Sequence, residues 1–192
     1  ALRELAATQH GVASRVQLQQ AGLTPRAIRH RIATGRWVSI GRNVVALGPV
    51  PTDIWGRAQA GVLAVPSATV SHRTAGALHG LPGLSPATRA PIDLSTTVLS
   101  AVGPADVRLF RRTHRPRFQH LGGMAITTVP QTLFDLAAVL PVEELDRVVA
   151  LSRAQRRLPL PVLVLAAEEL TGRGVRGTPA PRHLLPSPCS EG

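Results

Sequence analysis

Lysine is absent from this chain: all 22 of its basic residues are arginine. A restriction-type nuclease core pairs a carboxylate with a D/E-x-K element, whose lysine stabilises the attacking hydroxide or the transition state. That element cannot be present here. No D-x-D or D-x-E pair is available to hold the two metals of nucleotidyl transfer, and no G-x-S-x-G or Walker loop occurs. Catalysis is therefore not expected. Cysteine occurs once, at Cys189, which excludes an internal disulfide. Tyrosine is missing, with only Phe 3 and Trp 2 among the aromatics, so the core must be built from Leu, Val, Ile and Ala. No stretch reaches the roughly eighteen uninterrupted apolar residues of a membrane span. No signal peptide is seen ahead of the first helix, and a soluble, cytoplasmic protein is the expectation. Histidines are present but poorly grouped. His72 and His79 lie seven apart on one segment, and His114 and His120 flank a turn, with no H-x-x-x-H or cysteine pair beside them. Neither a metal nor a cofactor is expected, and His72 reads as structural, donating to backbone.

The charge that is present is unevenly placed. The formal net charge is +11 over 192 residues. Residues 1–48 hold seven Arg against Glu4 alone, hence +6; residues 49–171 hold twelve Arg against nine acids, hence +3; residues 172–192 hold three Arg against one Glu, hence +2. A first quarter this basic points to a polyanion.

The same quarter has a readable order. Ser14 with Gln17 three residues on is a capping box. Gly22 sits where a helix ends in a left-handed residue, and Thr24 followed by Pro25 opens a second helix that stops at Gly35. Two β-rich runs, 37–40 and 44–47, flank Gly41-Arg42-Asn43, in which two residues tolerate positive φ. Helix, turn, helix and hairpin is the order of a winged helix-turn-helix DNA reader. At about 100° per residue, Ile28 and Ile32 share the inward face of the second helix, and Arg26, His30 and Ala33 lie opposite, with Arg29 and Arg31 on the flanks. The expected DNA-binding set is Arg15, Gln17, Arg26, Arg29, His30, Arg31, Arg36 and Arg42. A first helix ending near Gly11 is expected to pack across the two central ones.

Gly48-Pro49-Val50-Pro51 reads as a stiff connector that lets two halves act semi-independently. An α+β domain over 49–171 follows, for an overall α+β class. A helix opens at Thr52-Asp53 and ends at Pro66, and Ser71 caps another over 72–79. Strands are expected over 91–98, 107–113 and 125–129, then helices from Pro130 and over 143–157. Residues 160–170 are apolar, and 172–192 lack periodicity and read as a disordered tail. Arg108, Arg111, Arg112, Arg115 and Arg117 form a second basic patch. A further nucleic-acid surface, an acid-binding patch for a protein and a sheet edge protected by charge all fit that patch.

Four stretches resemble a known family. The opening helix-turn-helix is similar to that of abortive-infection (AbiE) type IV antitoxins. V-S-H-R-T-A-G-A-L-H-G-L at 70–81, R-R-T-H-R-P at 111–116 and I-T-T-V-P-Q-T-L-F-D-L-A at 126–137 resemble its actinobacterial relatives. The resemblance implies double-stranded operator DNA with inverted repeats as the partner, repression of the chain's own operon, and a nucleotidyltransferase toxin countered without a stable complex. Many such relatives carry a C-terminal very-short-patch-repair-like endonuclease domain. Here G-R-G-V-R-G-T at 172–178 resembles the junction into it, yet a Pro/Ser-rich stretch follows. The alternative implied is a DNA-targeting remnant of that nuclease family without its catalytic domain.

Overall fold

The computed structural model describes residues 2–84, 90–155, 159, 161, 162 and 164. Helix α1 (Leu2–Thr8) leads into β1 (Val12–Ser14), whose three residues are too few to show a period. Ser14 then caps α2 (Arg15–Gln20): its hydroxyl accepts from the Gln17 amide at 3.2 Å, and Gln17 Oε1 accepts from the Ser14 amide at 2.9 Å. Gly22 turns the chain at φ +92°. Thr24 accepts from the Ala27 amide at 3.2 Å to open α3 (Pro25–Ala33). Strands β2 (Val38–Ile40) and β3 (Val44–Ala46) form the hairpin, and β1 joins the other side of β3, giving the antiparallel order β1-β3-β2. Gly41 takes a positive φ of +73°, whereas Asn43, expected to share the turn's strain, does not. Leu18, Ile28, Trp37 and Val45 form this unit's core, with Leu2 and Leu5 of α1 packed on it.

The second unit begins with α4 (Ile54–Ala64), capped by Asp53, whose Oδ1 accepts from the Gly56 amide at 3.0 Å. Then come β4 (Thr69–Val70), α5 (His72–Leu78), β5 (Ile92–Thr96), β6 (Val107–Arg111), β7 (Phe118–Leu121), β8 (Met124–Thr127), α6 (Val129–Ala137) and α7 (Val142–Ala154). The sheet is mixed, in the order β6-β5-β4-β8-β7; β5 pairs β6 and β4 pairs β8 in parallel. The expected strands appear slightly shortened. Strands β4 and β7 have no counterpart in the periodicity, β4 because two residues carry none and β7 because Gln119 and His120 in its middle are both exposed. Leu133, Leu136 and Leu140 meet Leu145 and Val148 of α7 in a cluster that also takes Leu81 and Leu84. Residues 156–158 of the expected last helix, most of the apolar 160–170 run and the expected tail at 172–192 lie outside the described residues.

The halves are not joined by a hinge alone. On one side of α4, Ile54, Trp55, Ala58 and Val62 pack with Ile92, Leu94 and Ile126 of the second sheet. On its other side, Ala60, Leu63 and Ala64 pack with Val12, Val44 and Ala46 of the first. The β7–β8 turn adds a further contact. Gly122 and Gly123, at φ +56° and +78°, form the two-residue loop. A side chain at Gly122 would run into Trp55, and one at Gly123 into the Thr8 carbonyl. His10 stacks on Trp55 and donates from Nε2 to the Gly122 carbonyl at 3.1 Å. Semi-independence of the halves, expected from the proline connector, is therefore corrected: they share α4.

Residues 1–48 alone should fail to fold, because removing α4 exposes Val12, Val44 and Ala46, each wholly buried. Each buried valine returned to water costs roughly 1.5–3 kcal/mol, a large share of a small unit's stability. A 1–66 fragment that retains α4 should recover dispersed amide resonances. Equal dispersion from the shorter fragment would contradict the shared core.

Candidate nucleic-acid interface

The α3 caps and the buried Ile28 fix which face of that helix meets solvent. Ile28 is 1 % exposed, and Arg26, Arg29 and His30 are exposed on the remaining surface. Arg36 and Arg42 are exposed beyond the helix and at the hairpin turn. Among the described residues, no carboxylate forms an ion pair with Arg26, Arg29, Arg36 or Arg42. Five cationic or titratable side chains thus project from α3 and the hairpin without internal neutralisation.

Three residues expected with them have internal partners instead. Arg15 donates from Nε to the Arg42 carbonyl and from Nη2 to Ser39 Oγ, both at 3.3 Å, and so ties the start of α2 to the hairpin turn. Gln17 Oε1 completes the α2 cap. Arg31 donates from Nη1 to the Ala27 carbonyl at 3.1 Å and lies over the Trp37 ring at 5.2 Å. These contacts position the exposed set. Ser39, which relays the hairpin's geometry by donating to the Gly41 carbonyl at 3.0 Å, has no sequence signal that would have singled it out.

The second basic patch is built differently. Asp93 and Asp135 have side chains with no solvent exposure. Arg108 donates from Nε and Nη2 to Asp93 Oδ1, each at 2.8 Å, and the Arg73 amide donates to Asp93 Oδ2 at 3.1 Å. Burial pushes the Asp93 carboxyl upward, and the Arg108 guanidinium opposes that push. Arg112 donates from Nη2 to Asp135 Oδ1 at 2.6 Å and from Nε to Ser95 Oγ at 3.1 Å. Arg111 donates to the Leu99 and Ala101 carbonyls. Arg115 lies over Phe118 at 3.8 Å, and the Arg117 amide donates to Gln131 Oε1. Arg108 and Phe110 do share a face, with the guanidinium 5.4 Å from the ring. The sequence pattern had no means of showing that Arg108 and Arg112 compensate buried acids.

The same network holds His72. It is buried, sits at φ +49°, and stacks on Phe110 with ring centroids 3.5 Å apart. Its Nδ1 meets Ser71 Oγ at 2.9 Å, not a backbone carbonyl as expected. Ser71 consequently makes no side-chain cap to α5. Ser95 donates to Ser71 at 3.0 Å and accepts from Arg112 Nε, so a chain of hydrogen bonds runs from Arg112 to the ring. Burial, then Arg112 and Arg108, lower the His72 pKa from 6.5 to about 3. His79 is likewise lowered by burial, against the bond it donates to the Thr127 carbonyl at 2.7 Å. Among the described residues, no group of three or more His, Cys, Asp or Glu could hold a metal ion, and no helix is long and apolar enough to cross a membrane.

Two measurements test this division. Arg112→Ala removes the guanidinium from the buried Asp135, which keeps the bond from Gln131 Nε2, and should cost about 3–5 kcal/mol of stability. Unfolding titrations at several pH values test His72. As pH falls from 6.5 towards about 3, the unfolded chain protonates His72 and the folded chain does not, so stability falls. The raised Asp93 acts with the opposite sign, so the informative quantity is the difference from His72→Asn, which should lose up to about 1.4 kcal/mol per pH unit of that dependence. Parallel curves for the two proteins would contradict a buried neutral His72.

No curated protein and no solved structure matches the chain. Residues 1–48, the helix-turn-helix with its hairpin, match the family described as "Transcriptional regulator, AbiEi antitoxin", a match over 48 of the 192 residues. The N-terminal segment is therefore similar, over those residues, to the AbiEi antitoxin transcriptional regulators.

Proposed function

We propose that the chain is a DNA-binding transcriptional regulator of the antitoxin type, with residues 1–48 as a winged helix-turn-helix reader and the hairpin as its wing. The observation that carries this reading is the exposed, internally unneutralised set Arg26, Arg29, His30, Arg36 and Arg42. The family match over the same residues supports it. Arg26, Arg29 and His30 face the major groove, where arginine can bond guanine bidentately. Arg36 and Arg42 meet backbone phosphate and set register. Arg15, Gln17 and Arg31 act by holding that surface in shape.

The resemblance to AbiE antitoxins extends the reading to repression of the chain's own operon at inverted repeats, and to a nucleotidyltransferase toxin as functional partner. Residues 49–171 would carry the toxin-countering role, since the reader unit has one packed core and a face occupied by DNA. The boundary at residue 48 then divides labour within one folded body.

Binding assays on operator fragments from upstream of the gene test the DNA face. Arg26→Ala with Arg29→Ala should weaken specific binding by about 10-fold to 1,000-fold and relax sequence preference. Arg36→Ala and Arg42→Ala should weaken all sequences alike, each reducing the salt slope by about 0.9. Unchanged operator affinity in the Arg26/Arg29 double variant would overturn the docking.

A further inference from the structure

Beneath the sheet edge formed by β5 and β6, a cleft of about 300 Å³ opens between α4 and α5. That volume is at the lower end of small-ligand sites. Its walls differ in chemistry. Arg57 of α4, Arg73 of α5 and Arg108 of β6 line one side, with Asp93 as the only carboxylate among the described lining residues. Ile54, Ala77, Leu84 and Pro91 supply an apolar wall.

Each guanidinium is braced from behind. Arg57 donates to the Ala90 carbonyl at 2.8 Å and to Asp106 at 3.4 Å. Arg73 donates through both Nη atoms to Glu144, at 2.9 and 3.2 Å. Arg108 engages the buried Asp93 through Nε and Nη2. Asp106 and Glu144 lie outside the lining, and both Asp93 oxygens already accept bonds, from Arg108 and from the Arg73 amide. Arg73 and Arg108 nevertheless keep 43 % and 46 % of their side-chain surface accessible. A guanidinium pinned in this way presents its remaining surface with little rotamer entropy left to lose, which favours an incoming anion.

We propose that this cleft binds a small organic anion, its carboxylate or phosphate set against Arg57, Arg73 and Arg108 and its apolar body against Leu84, Pro91 and Ala77. A cation meets three guanidinium groups, and among the described lining residues one carboxylate whose two oxygens are already engaged. A bare inorganic anion leaves the apolar wall wet. The site is separate from the DNA face on α3, and its occupancy does not depend on the DNA reading.

Isothermal titration of the full chain tests the proposal, with adenosine 5′-monophosphate as the phosphate probe and salicylate as the carboxylate probe. Adenosine, benzyl alcohol and inorganic phosphate serve as controls. Saturable 1:1 binding of one or both organic anions is expected, with the controls at least about tenfold weaker, and the probe that binds identifies the headgroup. Arg73→Gln should weaken binding about tenfold through the lost charge-assisted bonds, and Ala77→Trp should abolish it by filling the cleft. Arg108→Gln is not informative, because it strips Asp93 of its counter-charge. If Ala77→Trp fails to give a cooperative melt, Arg73→Gln decides. No saturable binding of either anion at millimolar concentration would overturn the proposal, as would equal binding of a control or an Arg73→Gln variant that binds like the parent.

Discussion

Two buried carboxylates set the terms for the rest of this protein. Asp93 on β5 and Asp135 on α6 have no exposed side-chain surface, and a lone buried charge is tolerated only when paired and hydrogen-bonded. Arg108 and Arg112 supply the pairing from β6 and the residue after it. Ser95, Ser71 and His72 complete the layer between the sheet and α5, and burial, aided by the Arg112 and Arg108 charges, lowers the His72 pKa and keeps its ring neutral. A sequence with 22 arginines can look basic everywhere. The buried acids decide which of those arginines are internal counter-ions and which remain to meet a partner. Arg108 and Arg112 of the C-terminal unit pair with these buried acids, whereas Arg26, Arg29, Arg36 and Arg42 are exposed to solvent.

Helix α4 imposes the second constraint. It covers the apolar face of the large sheet with Ile54, Ala58 and Val62 and the back of the small sheet with Ala60, Leu63 and Ala64. Its small residues permit this double contact: Ala58 and Gly61 face the large sheet and Ala60 the small one. Because α4 also lines the cleft through Ile54 and Arg57, the cleft and the small sheet are connected by one rigid element.

Much of this was legible in the sequence where the signal is local. The Ser14/Gln17 box, the Thr24-Pro25 start, Gly22, Gly35 and Gly41 specify their own backbone conformations, so α2, α3 and the hairpin were readable from short-range chemistry. The inward placement of Ile28 followed from helical period. Strands β1 and β4 were not readable, because two or three residues define no alternation and their partners are distant in sequence. The connector misled for the same reason: Pro49 and Pro51 report local stiffness, while the contacts uniting the halves come from α4 and from His10, Trp55 and Gly122. At the candidate site, exposure of Arg26 and Arg29 followed from periodicity. The internal roles of Arg15, Arg31, Arg108 and Arg112 depend on tertiary partners that no local pattern encodes.

The most direct test of the claim that DNA meets the N-terminal unit is a hydrogen-exchange footprint of the full chain with and without its operator duplex. Protection confined to Pro25–Ala33 and residues 36–43, with the Val107–Arg111 strand and residues 112–117 unchanged, is the expected result. Protection centred on 107–117 with α3 unaffected would contradict it.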